Sequence, residues 1–413
     1  MSRVVVVGLG YVGMPLAQAA VRAGHEVVGL DLSQEVLSAI AAGVSHIDDL
    51  SDSDIADMKI RGFSATNRPA VVQGADVVVI CVPTPLALDG SPDLGAVKSA
   101  VSSIVGYLRR NVLVVLESTT FPGTTDSVIA PLLGSLGVPG ADFNLAFSPE
   151  RVDPGNEDYT ITNTPKIVGG VTAECTEAAA VFYDTFVDEV VRAKSSREAE
   201  TAKLLENTYR HINIALVNEL ARVCHEMEID VWDVINCAAT KPFGFQAFYP
   251  GPGVGGHCIP IDPNYLSYAV RSALGYPLRF VELAQEINST MPTYVARRAQ
   301  DLMNSVGKPI RGARIAIVGV TYKADISDER ESPAEGLARQ LVSLGADLRY
   351  LDPHVDSWSP VGNAVEPWRR GEAVDLALVL QHHKAVDMAA VTSAASQVLD
   401  TRGKLAGTNV SCL

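Results

Sequence analysis

The chain reads as an α/β protein with two doubly wound parallel-sheet domains, joined by a helical middle domain with a long central helix. Three observations predict this. Short apolar runs alternate with helical stretches in the N-terminal part; the alternation stops near Glu198 for a stretch free of glycine and proline; and it returns near Arg314. A parallel strand covered on both faces is a continuous apolar run rather than an alternating one.

Arg3 to Val7 (RVVVV) is the first such run. The glycine-rich GLGYVG follows, then a helical stretch from Pro15 to Ala23. Glu26 to Leu30 is the next strand and ends at Asp31, and Ala75 to Val82 and Val112 to Leu116 repeat the pattern. From Glu198 to about Met227 the chain predicts one long helix, an element that usually bridges domains or forms an oligomer interface. More helix follows, interrupted by the glycine- and proline-rich segment Phe243 to Pro263. Arg314 to Val318 is a strand ending at Gly319, and Ala346 to Leu351 is another ending at Asp352. Ala373 to Leu380 and Ser396 to Leu399 are weaker strand patterns. The expected domains are 1–195, 196–305 and 306–413, the first and last α/β.

Bulk properties narrow the function. A chain of 413 residues exceeds one hydrophobic core. A net charge of −15 and a pI near 5.0 argue against a nucleic-acid partner, although a few local donors suffice for a bound polyphosphate. No run of 18 apolar residues predicts a membrane span. The start, MSRVVVVGLG, is too short for a signal peptide and leads into a glycine turn, so a cytoplasmic protein is expected. Cys81, Cys175, Cys224, Cys237, Cys258 and Cys412 form no CxxC pair, which argues against a zinc site or a disulfide frame and leaves no metal expected. Cys81, Cys175, Cys224 and Cys237 lie in apolar or helical runs and are expected to be small buried hydrophobes, with Cys412 in the tail.

GLGYVG places Gly8, Gly10 and Gly13 in G-x-G-x-x-G spacing. Gly8 permits the tight turn, Gly10 lets a pyrophosphate approach the backbone, and Gly13 permits close helix–strand packing. Alone the motif is weak. Here a strand precedes it, a helix follows, and Asp31 ends the next strand 18 residues beyond Gly13, near the expected spacing of about 20. A Rossmann-like domain results. The helix N-terminus offers N–H groups to phosphates, and Asp31 would accept from ribose hydroxyls and repel a 2′-phosphate, favouring NAD over NADP. A glycine turn with no nucleotide is the bland alternative.

PGPGVGGHCIPIDP (Pro250 to Pro263) surrounds one thiol, Cys258, with glycine and proline, so backbone can approach a ligand closely there. A cysteine needs nearby donors or positive charge to act as a thiolate nucleophile. Asp262 lies four residues on. Lys203, Asn207 and Arg210 share a helix face by their i, i+4, i+7 spacing. On spacing alone they are solvated surface groups.

Ordered motifs then carry a resemblance. GLGYVG, CVPTPL (Cys81 to Leu86), ESTTFPGTT (Glu117 to Thr125), SPERVDPG (Ser148 to Gly155), AKLLENTYR (Ala202 to Arg210), GGHCIPIDP (Gly255 to Pro263), GVTYKADISDERESP (Gly319 to Pro333) and DTR (Asp400 to Arg402) occur in sequence order. The chain resembles the UDP-glucose/GDP-mannose dehydrogenase family from Val4 to about Arg402. TKPFGF, FYPGPG and HCIPIDP look most like the branch acting on UDP-N-acetylhexosamines, with UDP-N-acetylglucosamine the expected sugar.

The resemblance implies a four-electron oxidation of the sugar C6 alcohol by two NAD⁺, through a thiohemiacetal and a thioester on Cys258. It implies that Lys203 steadies oxyanion charge or relays a proton, with Asn207 beside it. By the same resemblance Asp262 activates water, Thr119 positions it, and Glu150 is the acidic residue of the P-E motif. Tyr11, Val12, Pro83, Thr84 and Thr119 would join the glycines and Asp31 against NAD. Glu150, Arg151, Lys203, Asn207, Arg210, Gly255, Lys323, Arg330 and Arg402 would contact the UDP-sugar, and the long helix would form a homodimer. There are departures. Many UDP-glucose enzymes carry a second glutamate where Pro154 stands beside Asp153, and a lysine where Ile261 stands. Ser33, Gln34 and Glu35 follow Asp31 where relatives often have a basic residue. On the residues alone, a two-electron hydroxyacid-type dehydrogenase and a non-catalytic nucleotide-sugar binder stay open, as do UDP-N-acetylmannosamine and UDP-glucose as substrates.

Overall fold

The computed structural model describes residues 1–413 except 88, 152–155, 157, 257 and 370. The departures at Asp153 and Pro154 therefore lie outside the described residues, as does the histidine of GGHC. The chain falls into two compact units: Met1–Glu206 with Asn264–Tyr276, and Asn207–Pro263 with Pro277–Leu413.

Unit 1 is built on one sheet. Its strands are β1 (Arg3–Val7), β2 (Glu26–Leu30), β3 (Ser64–Thr66), β4 (Val77–Ile80), β5 (Leu113–Leu116), β6 (Asn144–Phe147), β7 (Lys166–Gly170) and β8 (Val190–Arg192). Their order is β3-β2-β1-β4-β5-β6-β7-β8, and the first six run parallel. β7 returns antiparallel to β6, and β8 pairs parallel with it. The uniformly apolar strands bury both faces. Val4 and Val6 of β1 pack with Leu16 and Ala20 on one side, and Val5 and Val7 pack with Val97 and Val101 on the other. Each such valine contributes roughly 1.5 kcal/mol.

The first helix spans Gly13–Arg22, two residues earlier than expected; Pro15 is tolerated because it falls in the first turn, where its missing N–H costs nothing. β4 is shorter than the expected Ala75 to Val82, because the Ala75 N–H is spent on the carbonyl of Val72. The long helix runs from Ser196 to Glu226.

Unit 2 holds the second sheet: β9 (Arg314–Val318), β10 (Asp347–Leu351), β11 (Glu366–Pro367), β12 (Val374–Val379), β13 (Ala395–Asp400) and β14 (Val410–Cys412). All pairs are parallel, in the order β11-β10-β9-β12-β13-β14. β13 was weakly patterned in sequence yet pairs on both sides. Helices Val231–Ala239, Arg279–Ser305 and Pro333–Ser343 pack within this unit's cores or beside its sheet. No described helix is long and apolar enough to cross a membrane.

Two cysteine expectations need correction. Cys237 is exposed, because the helix Val231–Ala239 turns it away from the buried Val231 and Ile235. Cys412 is no loose tail but part of the edge strand β14. Cys81, Cys175 and Cys224 are buried, and none of the six cysteines is joined in a disulfide.

Candidate active site

The nucleotide turn of unit 1 is shaped by its glycines. Gly8 sits at φ +91°, and a Cβ there would stand 2.7 Å from the carbonyl oxygen of Cys81. A Cβ on Gly13 would stand 1.9 Å from the Gly8 carbonyl oxygen, so the helix can approach the turn only without a side chain. Around Gly10 there is open space. The helix start has no side-chain cap and no acidic residue in its first turn, which leaves its N–H groups to an anion. Asp31 is held at the end of β2 by the N–H groups of Leu9 and Ser33, each at 2.8 Å. Each carboxylate oxygen keeps acceptor capacity for a ribose diol. These features fit a dinucleotide.

Tyr11 and Val12 are half-buried on that turn. The Tyr11 hydroxyl reaches the Asp48 carboxylate at 3.5 Å, and His46 Nε2 lies 2.6 Å from the Leu9 carbonyl. Beyond β4, Pro83 is exposed and Thr84 buried. The buried Tyr265 hydroxyl donates to the carbonyls of Thr84 and Pro85, fixing that loop.

Four further predicted residues belong to unit 1. Thr119 is half-buried in the loop after β5. Lys203 is only 3% exposed, which overturns the solvated-surface expectation, and its ammonium donates to the Glu150 carbonyl at 3.2 Å. Burying an ammonium is costly unless it is partnered, and this one is. Arg151 forms an ion pair with Glu206 and donates to the Pro165 carbonyl.

Sequence reasoning missed what lies behind Glu150. Lys166, at the start of β7, is buried between two carboxylates: Nζ lies 3.0 Å from Glu117 and 4.0 Å from Glu150, and it donates to the Pro149 carbonyl. Glu117 also accepts from the Tyr183 hydroxyl. Burial pushes the Glu117 carboxyl up, with Lys166 pulling the other way. Glu200 is a second missed acid, fully buried near the start of the long helix. Glu117 stands out in sequence only as a charge closing an apolar run, and Glu200, within SREAETAK, carries no such signal.

The remaining predicted residues belong to unit 2. The Cys258 carbonyl accepts from the N–H groups of Ile261 (3.1 Å) and Asp262 (2.8 Å), so thiol and carboxylate sit on one closed turn. Asn207 Nδ2 donates to Asp262 Oδ2 at 2.5 Å, and Asp262 is buried. The glycines before Cys258 let backbone press against the C-terminal domain. A Cβ on Gly251 would meet Arg402 at 2.9 Å, one on Gly255 would meet Tyr322 at 2.8 Å, and the Gly256 N–H donates to the Arg330 carbonyl. Arg402 donates from Nε to the Leu380 carbonyl, and burial lowers its guanidinium to about 10 against the pull of Asp400. Arg330 is forked onto Asp328. Lys323 is half-buried beside Tyr322, whereas Arg210 is exposed.

Among the described residues, Asp325, His354 and His383 offer ligand atoms within 4.8 Å of one another. Both His383 nitrogens are already engaged, one by the Asp325 N–H and the other by Asp352, so the trio is a poor metal site.

Three family models match successive parts of the chain. The models of the UDP-glucose/GDP-mannose dehydrogenase family match residues 2–187 as the NAD binding domain, 197–290 as the central domain and 316–407 as the UDP binding domain. A UDP-N-acetyl-D-mannosamine dehydrogenase of Methanococcus maripaludis is 35% identical over 388 residues, covering 93% of this chain and 87% of the relative. An NDP-N-acetyl-D-galactosaminuronic acid dehydrogenase of Ralstonia solanacearum is 34% identical, covering 96% and 95%. The solved structure of a UDP-D-ManNAc dehydrogenase from Pyrococcus horikoshii superposes with a TM-score of 0.90 at 30% identity, covering 99% and 98%.

Proposed function

The chain belongs to the UDP-glucose/GDP-mannose dehydrogenase family, and from that premise we propose that it oxidises the C6 alcohol of a UDP-N-acetylhexosamine to the carboxylate. It is an NAD-dependent nucleotide-sugar dehydrogenase. The observation that carries the finer reading is the closed turn bearing Cys258 and Asp262, with Asn207 held on the Asp262 carboxylate.

NAD, when bound on the Gly8–Gly13 turn, accepts the hydride, two equivalents per sugar. The first transfer turns the C6 alcohol into an aldehyde, and Lys203 is the group assigned to its oxyanion or proton. The Cys258 sulfur adds to the aldehyde carbon, which keeps its hydrogen and becomes a thiohemiacetal. Loss of that hydrogen as the second hydride gives a thioester. Water, oriented by Thr119 and deprotonated by Asp262, cleaves the C–S bond and returns the thiol. Arg402, Arg330 and Lys323 supply charge for the diphosphate and hydroxyls.

The test is NADH yield with purified UDP-sugars. Two NADH per UDP-N-acetylhexosamine are expected, and two with UDP-glucose alone would defeat the N-acetyl reading. The motifs favour the gluco epimer, while the mannosamine enzymes among the relatives favour the manno epimer, so both are assayed. A Cys258→Ser enzyme releasing carboxylate at the normal rate would remove the covalent step.

The proposed assembly is a homodimer on the long helix, where Tyr209, Leu216 and Val223 repeat every seven residues and are exposed. A monomeric mass by light scattering would refute it. Six cysteines without a disulfide fit the reducing cytoplasm as its compartment.

A further inference from the structure

We infer that Glu200 is a positioning residue: its buried carboxylate holds the Thr119 loop to the helix that carries Lys203. All of the groups involved lie in unit 1. Glu200 is fully buried, and its oxygens collect four donors from one short segment. Oε1 accepts from the Thr125 hydroxyl (2.6 Å), the Thr125 N–H (2.9 Å) and the Thr120 hydroxyl (3.3 Å), and Oε2 accepts from the Gly123 N–H (2.7 Å). Gly123 reaches this geometry with φ +95°, which most residues avoid.

A carboxylate on two backbone N–H groups and two hydroxyls is a strong acceptor, and removing it would orphan four donors at once. One turn earlier, Arg197 grips the same segment through Asp126 at 2.6 Å. Thr119 is the immediate neighbour of Thr120, and Lys203 lies three residues from Glu200 on the same helical face. One side chain thus fixes both the loop that positions water and the helix that carries the lysine. All four donors to Glu200 lie within residues 120–125, the segment that directly follows Thr119, so the inferred effect runs through Thr119.

The inference rests on the proposed role of Thr119 in thioester hydrolysis, and a double-mutant cycle tests it on the full-length enzyme. Misplacing a reacting group by about 1 Å can cost on the order of 100-fold, so Glu200→Gln is expected to lower kcat for carboxylate release about 10- to 100-fold. In a Thr119→Ala background the same substitution should change kcat by less than about threefold, since the residue it acts through is gone. Thr125→Val, which removes only the shortest of the four bonds, should show the same pattern at smaller size, and it decides the matter if Glu200→Gln does not fold. Multiplicative losses in the double variants would overturn the inference, as would an unchanged kcat in both single variants. An inactive wild type on every UDP-sugar would instead defeat the underlying functional reading.

Discussion

The two sheets share one plan and use it differently. In each, a strand ends in a left-handed glycine, Gly8 at φ +91° and Gly319 at φ +80°, whose N–H donates to the last residue of the neighbouring strand, Leu30 or Leu351. In each, an aspartate one residue beyond that strand accepts from the residue after the glycine: Asp31 from Leu9 at 2.8 Å, Asp352 from Val320 at 2.7 Å. The carboxylates then diverge. Asp31 accepts the Leu9 and Ser33 N–H groups and keeps room for a diol. Asp352 also takes the Thr321 and His354 N–H groups and the His383 ring, and it is spent inside the protein. The helix after the first turn begins at Gly13, but the one after the second begins only at Pro333. The first unit offers backbone and helix end to a pyrophosphate. The second interposes a loop bearing Lys323 and Arg330, the side chains to which the proposed function gives the recognition.

That contrast can be broken most forcefully at Gly13. A Cβ 1.9 Å from a backbone carbonyl cannot be relieved by rotating a side chain, so Gly13→Ala should cost at least about 3 kcal/mol and abolish NAD binding. Thermal melts and NAD titration check both effects. An alanine variant that melts normally and binds NAD would mean the helix and turn are not in contact.

The paired aspartates come next. Asp31→Asn should weaken NAD binding about tenfold or more, because a charged hydrogen bond to ribose is lost, while leaving the melting temperature nearly unchanged. Asp352→Asn should do the reverse, costing roughly 2 kcal/mol through unsatisfied buried donors with NAD affinity intact. Equal effects of the two on NAD affinity would erase the distinction between the sheets.

Acid and base should also separate two buried carboxylates. Burial would raise Asp352, but the His383 hydrogen bond and backbone donors hold it below its usual value of 3.8. Its stabilisation is therefore present above that value and lost as pH falls through the folded one. Glu200 has the opposite sign: burial raises it to about 7 against the donors of Thr125 and Gly123. The folded chain holds that proton where the unfolded chain has lost it, so stability falls as pH rises from 4.5 to about 7. Melting temperature against pH should lose its decline over this window in Glu200→Gln, and its acid limb should soften in Asp352→Asn. The smallest effect is expected from Gln34→Arg. Adding a cation just past Asp31 should tighten NAD about threefold, the order of an exposed charge contact.

Much of this plan was legible in the sequence. β1, β2 and β9 match the apolar runs residue for residue, because a strand buried on both faces has no other composition open to it. The edge strands β3, β8 and β11 were not foreseen: at two or three residues they carry no periodicity, and neighbouring strands hold them in place. β7 was hidden by Gly169 and Gly170, which are there because Ser195 and Thr176 backbone atoms would stand within 2.3 Å of their side chains. The glycine turn, Asp31 and the Cys258 segment could be read from local spacing. Lys166 and Glu117 could not, since β5, β6 and β7 bring their charges together only when the sheet forms.

The exposed Cys237 has a practical side. Maleimide or iodoacetamide added to this enzyme meets three sulfurs outside the buried cores: Cys237, exposed on the helix Val231–Ala239, and the half-buried Cys258 and Cys412. Thiol counts, fluorophore attachment and mass-shift assays aimed at Cys258 will therefore report on all three unless Cys237 and Cys412 are first replaced. Replacing both by serine turns alkylation into a titration of Cys258 alone, with bound NAD or UDP-sugar read out as protection.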